Sequence, residues 1–297
     1  MKGIITADWH LRADRPRCRT DEDWNSTQRA ALEKVIFYAN KYHCSVIHVG
    51  DLFHSASVSP KIINMLIDSL KKLKSGCFYI TSGNHDLPYH NWDNVNSSAF
   101  GIIHTLIGAF DKIRNLNELG WAGPFDRDPE IDSNANSSIR FIHRLVFESI
   151  KNMPPNIEAI SANELLNEYP DAHWIFTGDN HKSFHYSSKD RHVINPGCLI
   201  RQTADLRDYS PGVYYVDTAK LEIEFLPIID NTELVTDIYI KKEQEREKRI
   251  AAFVESIQGA EKFTLSFLDN LESAIIHNNT LDSATISTVR AIIEESK

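Results

Sequence analysis

One arrangement recurs along this chain and restricts its folding more than any other feature. A short apolar run of strand character stops at aspartate, asparagine or histidine, mostly beside a glycine. Gly3 to Ala7 stops at Asp8-Trp9-His10, and Ser45 to Val49 stops at Gly50-Asp51-Leu52-Phe53-His54. Cys77 to Thr81 leads into Gly83-Asn84-His85-Asp86, Arg140 to Val146 carries His143, and His173 to Thr177 stops at Gly178-Asp179-Asn180-His181. Helical spacing fills the early gaps. Ser26 to Tyr42 places Ala31, Val35, Tyr38 and Tyr42 on one face. A second helix starts at Ser59-Pro60, with serine as N-cap and proline at the first helical position, carries Ile63, Leu66, Ile67, Leu70 and Leu73, and is expected to end at Gly76. Strand, helix and strand in alternation predict an α/β fold, in which ligands bind beyond the carboxyl ends of the strands.

The rest reads less regularly. Ser98 to Phe110 has helical spacing, and residues 122 to 138 are rich in Asp, Asn, Ser and Pro and predict a loop. Ser161 and Glu164 form a capping box ahead of a helix to Glu168, and Gly212 to Val216 with Leu221 to Leu226 predict a hairpin. Near residue 230 the composition changes. A strand is expected over Thr236 to Ile240, a helix with a charged solvated face over Lys241 to Ile257, a strand over Lys262 to Phe267 and a last helix over Asp282 to Glu294.

With 297 residues, 42% apolar and 25% charged, the chain can bury a sizeable core. No run of about 18 apolar residues occurs, so no membrane-spanning helix is expected. The start, Met1-Lys2-Gly3-Ile4-Ile5, lacks a signal-peptide core, and a cytoplasmic location is the expectation. Cys18, Cys44, Cys77 and Cys198 include no C-x-x-C pair and read as reduced thiols. The net charge of −9 excludes a bulk-basic nucleic-acid binder, so any contact with nucleic acid needs a local basic patch or bound cations.

Each motif alone is an ordinary turn or a core histidine. As an ordered set at strand ends they supply the Asp, His and Asn donors that divalent transition metals accept. The series resembles the calcineurin-like metallophosphoesterases, and within them the SbcD-type DNA repair and recombination nucleases, bacteriophage versions included. Gly50-Asp51-Leu52-Phe53-His54, Gly83-Asn84-His85-Asp86-Leu87-Pro88 and Ile194-Asn195-Pro196-Gly197-Cys198 with Arg201 and Gly212-Val213-Tyr214 carry the likeness, over roughly residues 1 to 228.

That resemblance implies a β-sandwich of two mixed sheets flanked by helices over residues 1–230, with a small α+β appendage at 231–297. It implies two divalent cations, manganese first and magnesium second. Asp8, His10, Asp51 and His181 would hold one, and Asp51, Asn84, His143 and Asp179 the other. His85 would sit at the scissile phosphate, and His54 would orient substrate. Two such cations about 3.5–4 Å apart share and activate a hydroxide and clamp both the attacking and the leaving oxygen. The implied activity is a phosphodiesterase on DNA, an exonuclease, with an SbcC-type ATPase and a second copy of the chain as partners. A phosphatase or cyclic-nucleotide phosphodiesterase on the same scaffold, and a catalytically weak DNA-binding scaffold, are the competing readings. Arg12, Arg15 and Arg17, with Arg19, would hold the DNA backbone at the mouth of the site, or else pair with Asp14, Asp21, Glu22 and Asp23. Trp9, Trp24, Tyr89 and Trp92 are the candidates for stacking bases, and His90 lies close enough in sequence to join the site.

The chain departs from the family pattern at Asp179, where histidine is usual. A carboxylate is a harder ligand and adds negative charge, so metal should be held more tightly and phosphate drawn less strongly. Asp179→His is expected to raise the manganese concentration needed for half-maximal activity; an unchanged titration would contradict this.

Overall fold

The computed structural model describes residues 1–125, 136–228, 232–259, 275 and 283–295. Two compact units divide the chain, Met1–Asp237 and Ile238–Lys297.

The first unit is a sandwich of two mixed sheets flanked by helices. In chain order its principal strands are β1 (Lys2–Thr6), β2 (Ser45–Val49), β3 (Phe78–Thr81), β4 (Ile113–Asn115), β5 (Gly120–Ala122), β6 (Asn136–His143), β7 (Val146–Phe147), β8 (Ile160–Ser161), β9 (Trp174–Gly178), β10 (Phe184–Ser188), β11 (Arg191–Asn195), β12 (Gly212–Asp217) and β13 (Glu222–Pro227). The first sheet runs β13-β12-β1-β2-β3-β4 and the second β10-β11-β9-β6-β5, while β7 and β8 form a separate pair. β1 to β4 are mutually parallel, and β12 joins β1 antiparallel. In the second sheet β5, β6, β9 and β11 are parallel.

Period-two alternation explains why these runs are almost wholly apolar: both faces of each central strand are covered. Ile4, Val46, Val213 and Tyr215 point to a core shared with helices α1 (Trp24–Tyr42) and α2 (Pro60–Leu70). Their neighbours Ile5, Ile47, Tyr214 and Val216 point the other way, into a core with Phe141, Trp174, Phe176 and Ile194 of the second sheet. Ile175 and Val193 face outward again, toward Leu165 and Leu166 of α4 (Ala162–Glu168). The two sheets thus separate three layers of core.

Most expected elements form. The Ser161/Glu164 capping box is complete, with Glu164 N–H donating to Ser161 Oγ at 3.3 Å and Ser161 N–H to Glu164 Oε2 at 2.8 Å. All four cysteines are free thiols. Several expectations need correction. α1 begins at Trp24, two residues ahead of expectation, because Asp23 caps it by accepting from Ser26 N–H at 3.1 Å. α2 stops at Leu70; Ser59 occupies the N-cap position without a side-chain capping bond, and Gly76 belongs to the later turn into β3. The helix expected over Ser98 to Phe110 is only α3 (Ala99–Thr105), beyond which the chain tightens into turns through Gly108 at φ 80°. β6 starts at Asn136, inside the segment read as loop, because pairing with β5 and β9 overrides its polar composition. β4, β5, β10 and the start of β11 had no clear apolar alternation to announce them.

In the second unit the strand expected at Thr236 to Ile240 is absent, because Ile238 already opens helix α5 (Ile238–Gly259). Glu245 to Arg249 are exposed along it, as a solvated face requires. A further helix spans Ser283–Glu295, and the strand expected at Lys262 to Phe267 lies outside the described residues. No helix among the described residues is long and apolar enough to cross a membrane.

Phe176 is fully buried between the sheets and stacks on Phe141 at a 5.3 Å centroid distance. Phe176→Ala should cost about 3–5 kcal/mol of stability, read as a lower denaturant midpoint at unchanged slope.

Candidate metal centre

The carboxyl ends of β1, β2, β3, β6 and β9 lie at one end of the sandwich, and the polar motifs follow them directly. The chain must turn sharply there. Asp8, His10, Asp51 and Asp179 all adopt the left-handed region, with φ of 50°, 45°, 56° and 73°. Non-glycine residues hold that conformation at a cost of roughly 1–3 kcal/mol each, which the surrounding structure must supply. Gly50, at φ 88°, cannot be replaced in kind, since a Cβ there would fall on the His143 ring.

The side chains converge. Asp51 Oδ2 lies 3.6 Å from His10 Nε2 and 3.4 Å from His143 Nε2, so one carboxylate oxygen stands between two imidazoles. Its other oxygen accepts from His85 N–H at 2.9 Å. His10 Nε2 is 3.0 Å from His181 Nε2 and 4.0 Å from Asp8 Oδ1. His143 Nε2 is 3.2 Å from Asn84 Oδ1. His143 Nδ1–H donates to the Val49 carbonyl at 2.8 Å, which leaves Nε2 as the atom facing the site. The donor atoms form three close groups: Asp8, His10 and His181; Asp8, Asp51 and His143; and His10, His54 and His85.

The electrostatics are those of buried anions. Burial raises the Asp8 pKa well above normal, opposed by His143. Burial also works against a charged His143, but Asp51, Asp8 and Asp179 overrule it and hold its pKa up at about 10. Asp51 is likewise penalised by burial, yet His143 and His10 keep its pKa below normal. Burial lowers His10, His181 and His54, the last to about 4 with help from Arg12, which favours the neutral rings. Buried carboxylates, neutral imidazoles and an amide oxygen make a cage that calls for cations.

The family model for calcineurin-like phosphoesterases matches residues 1–189. The chain belongs to that family. Among solved structures, it is similar to an archaeal phosphodiesterase at 19% identity over 77% of this chain and 100% of the other, with a TM-score of 0.42. It is also similar to a dimetal phosphatase from Danio rerio at 10% identity over 77% and 96% of the two chains, with a TM-score of 0.43. No curated protein matches it in sequence.

As a calcineurin-like phosphoesterase the chain is a metal-dependent hydrolase whose family uses two divalent cations. The residues fit such ions: Asp51 Oδ2 and His10 Nδ1 are buried without a hydrogen-bond partner, in a donor set of oxygen and imidazole nitrogen. Asp8, His10, Asp51, Asn84, His143 and His181 are brought together. Asp179 is not in any of the three donor groups; its backbone N–H donates to both Asp8 oxygens at 3.1 Å, and the residue borders the adjoining clefts. His54 and His85 stack at 5.7 Å beside His10.

The arginine segment divides. Arg19 is buried in a two-pronged pair with Asp21, at 2.7 and 2.8 Å, and Arg12 pairs with Asp14. Arg15 donates to the Asp21 carbonyl at 2.5 Å, and Arg17 is exposed. The proposed stacking role fails for Trp9 and Trp24, which are buried at 1% and 4% exposure because they fill the core around α1. Trp92 is half-buried against His104, whereas Tyr89 is 91% exposed. His90 is exposed, and its Nδ1–H donates to the Asn84 carbonyl at 2.8 Å.

Two residues have surroundings to which the sequence reading assigned no role. His48 is fully buried with neither ring nitrogen bonded, edge-on to Trp9 at 4.8 Å, and burial drives its pKa down to about 3. Asp86 accepts from the backbone N–H groups of Leu52, Phe53 and Gly83 at 3.1, 2.8 and 2.9 Å, tying the Asp51 turn to the Asn84 turn. Burial and the Asp51 charge raise its pKa to about 7 against those three bonds. Its place in Gly83-Asn84-His85-Asp86 was visible; its partners across the sheet were not. Asp86→Ala strands three buried donors, so it should cost about 3 kcal/mol or more and weaken manganese binding roughly 10- to 100-fold, the latter read by calorimetric titration of the chelator-stripped protein.

Proposed function

We propose that this chain is a two-metal phosphodiesterase acting on DNA, an SbcD-like exonuclease of DNA repair or recombination. One observation carries the reading: the metal centre adjoins open clefts rather than a closed pocket. A cleft of about 530 Å³ runs from Asp179 and His181 along Phe147, Asn152, Lys182 and Asp205. A second, of about 340 Å³, shares Leu145 and Asp179 with it and reaches His143 and Arg144. A polymer can lie along such a path, whereas a small phosphate monoester is normally held in an enclosing pocket.

When bound, two divalent cations supply a water nucleophile near neutral pH and neutralise charge on the phosphate. The chain's residues do the rest. Asp8, His10, Asp51, Asn84, His143 and His181 would hold the ions, with Asp179 beside them outside the three donor groups; oxygen donors among them favour manganese or magnesium. His85 Nδ1–H donates to the His54 carbonyl at 3.0 Å, which fixes the ring and leaves Nε2 to donate, when protonated, to the leaving oxygen. His54, stacked on it, orients the phosphodiester. Arg12 lies near His54, and with Arg15 and Arg17 it would meet the DNA backbone. Helix α5, charged and carrying exposed Ile238 and Ile250, offers the segment on which an SbcC-type ATPase would dock.

End-labelled single- and double-stranded DNA, incubated with manganese, should release labelled nucleotides from an end. Asp51→Ala should abolish this, and His85→Ala should lower kcat about 100- to 10,000-fold while metal remains bound. Intact DNA under conditions where cyclic AMP or a phosphate monoester is hydrolysed would replace this reading with the pocket-type activity.

A further inference from the structure

The loop after the third motif is built to hold one aromatic ring in solvent. Tyr89 and His90 are consecutive non-glycine residues in the left-handed region, at φ 56° and 55°. For a bulky aromatic that backbone conformation is an outlier. The loop around them is nevertheless closely tied. Leu87 is buried in the core, and Pro88 fixes the next turn. His90 N–H donates to the Leu87 carbonyl at 3.1 Å and Asn91 N–H to the Pro88 carbonyl at 3.2 Å. Asn91 Oδ1 accepts from Asp93 N–H at 2.7 Å, and His90 Nδ1–H grips the Asn84 carbonyl at 2.8 Å. The tip is therefore fastened to the same residue that supplies an amide to the metal centre, and the His90 ring lies 6.4 Å from the His85 ring. Tyr89 itself is 91% exposed and, among the described residues, touches no other ring.

Single exposed aromatics are common and need no explanation. Here the exposure is combined with a strained, fastened backbone that does nothing for the core. A rigid aromatic with two side-chain torsions loses little entropy on binding a flat partner. Of the four aromatics that the sequence offers for stacking, Trp9 and Trp24 are buried and Trp92 is packed against His104, so Tyr89 alone of the four offers a free face.

We infer that Tyr89 is a specificity-determining residue that stacks on an unpaired nucleobase beside the phosphodiester held at His85. This rests on the DNA reading above and adds to it a preference for frayed or single-stranded ends, since a base in the duplex stack presents no free face.

The test uses the full chain with manganese and a short single-stranded oligonucleotide carrying 2-aminopurine near its end. Tyr89→Asn removes the ring with a residue that tolerates the left-handed backbone. It should raise KM for the oligonucleotide roughly 5- to 100-fold with little change in kcat and no loss of thermal stability. It should also abolish the quenching of 2-aminopurine that wild type produces on binding. Tyr89→Phe should retain wild-type KM and quenching. Wild-type KM in Tyr89→Asn, or a marked fall in its melting temperature, would overturn the inference while leaving the nuclease reading standing. If the wild-type protein hydrolyses other phosphoesters but leaves every oligonucleotide intact, both fail together.

Discussion

A single buried oxygen, Asp51 Oδ2, stands between His10 and His143 at 3.6 and 3.4 Å, and the architecture is arranged around that fact. The companion oxygen is held by the His85 backbone, so the carboxylate cannot rotate away. Holding an anion there requires the turn after β2 to run through Gly50 and a left-handed Asp51, and that turn in turn relies on Asp86 reaching across from the end of β3. Burial makes the charge expensive, and the imidazoles beside it make it tolerable. Cation binding and fold are two answers to the same electrostatic demand.

Much of this could be read from the chain. The strands that carry the site are apolar on both faces, so they announce themselves, and their polar punctuation falls where parallel sheets place ligands. Asp8, His10, Asp51, Asn84, His143 and His181 were found that way and do converge. The less legible parts have a common cause, which is dependence on partners far away in sequence. β6 is polar at its start and becomes a strand because β5 and β9 flank it. Asp86 reads as one more acidic residue until its three donors from two turns are seen. Trp9 looks like a surface aromatic beside a ligand, but it turns inward to stack on Phe78 at 5.4 Å. Asp179 was expected to act through its side chain, and its clearest contact is the backbone N–H given to Asp8.

The position of the loop at Pro88 to Asn91 shows how a site is extended without enlarging the core. Its anchors, Leu87 inward and His90 to Asn84, are short-range, so the tip could change in sequence without disturbing the cage. Loops on rigid scaffolds carry specificity for this reason.

The cage draws on both halves of the sandwich: Asp8, Asp51 and Asn84 follow strands of one sheet, while His143 and His181 belong to the other. Ions held between them would rivet the two layers, and any slippage of one layer over the other would pull the rivet apart. Packing at Phe141 and Phe176, on the interface of the layers, would therefore bear on the spacing of such ions without touching them.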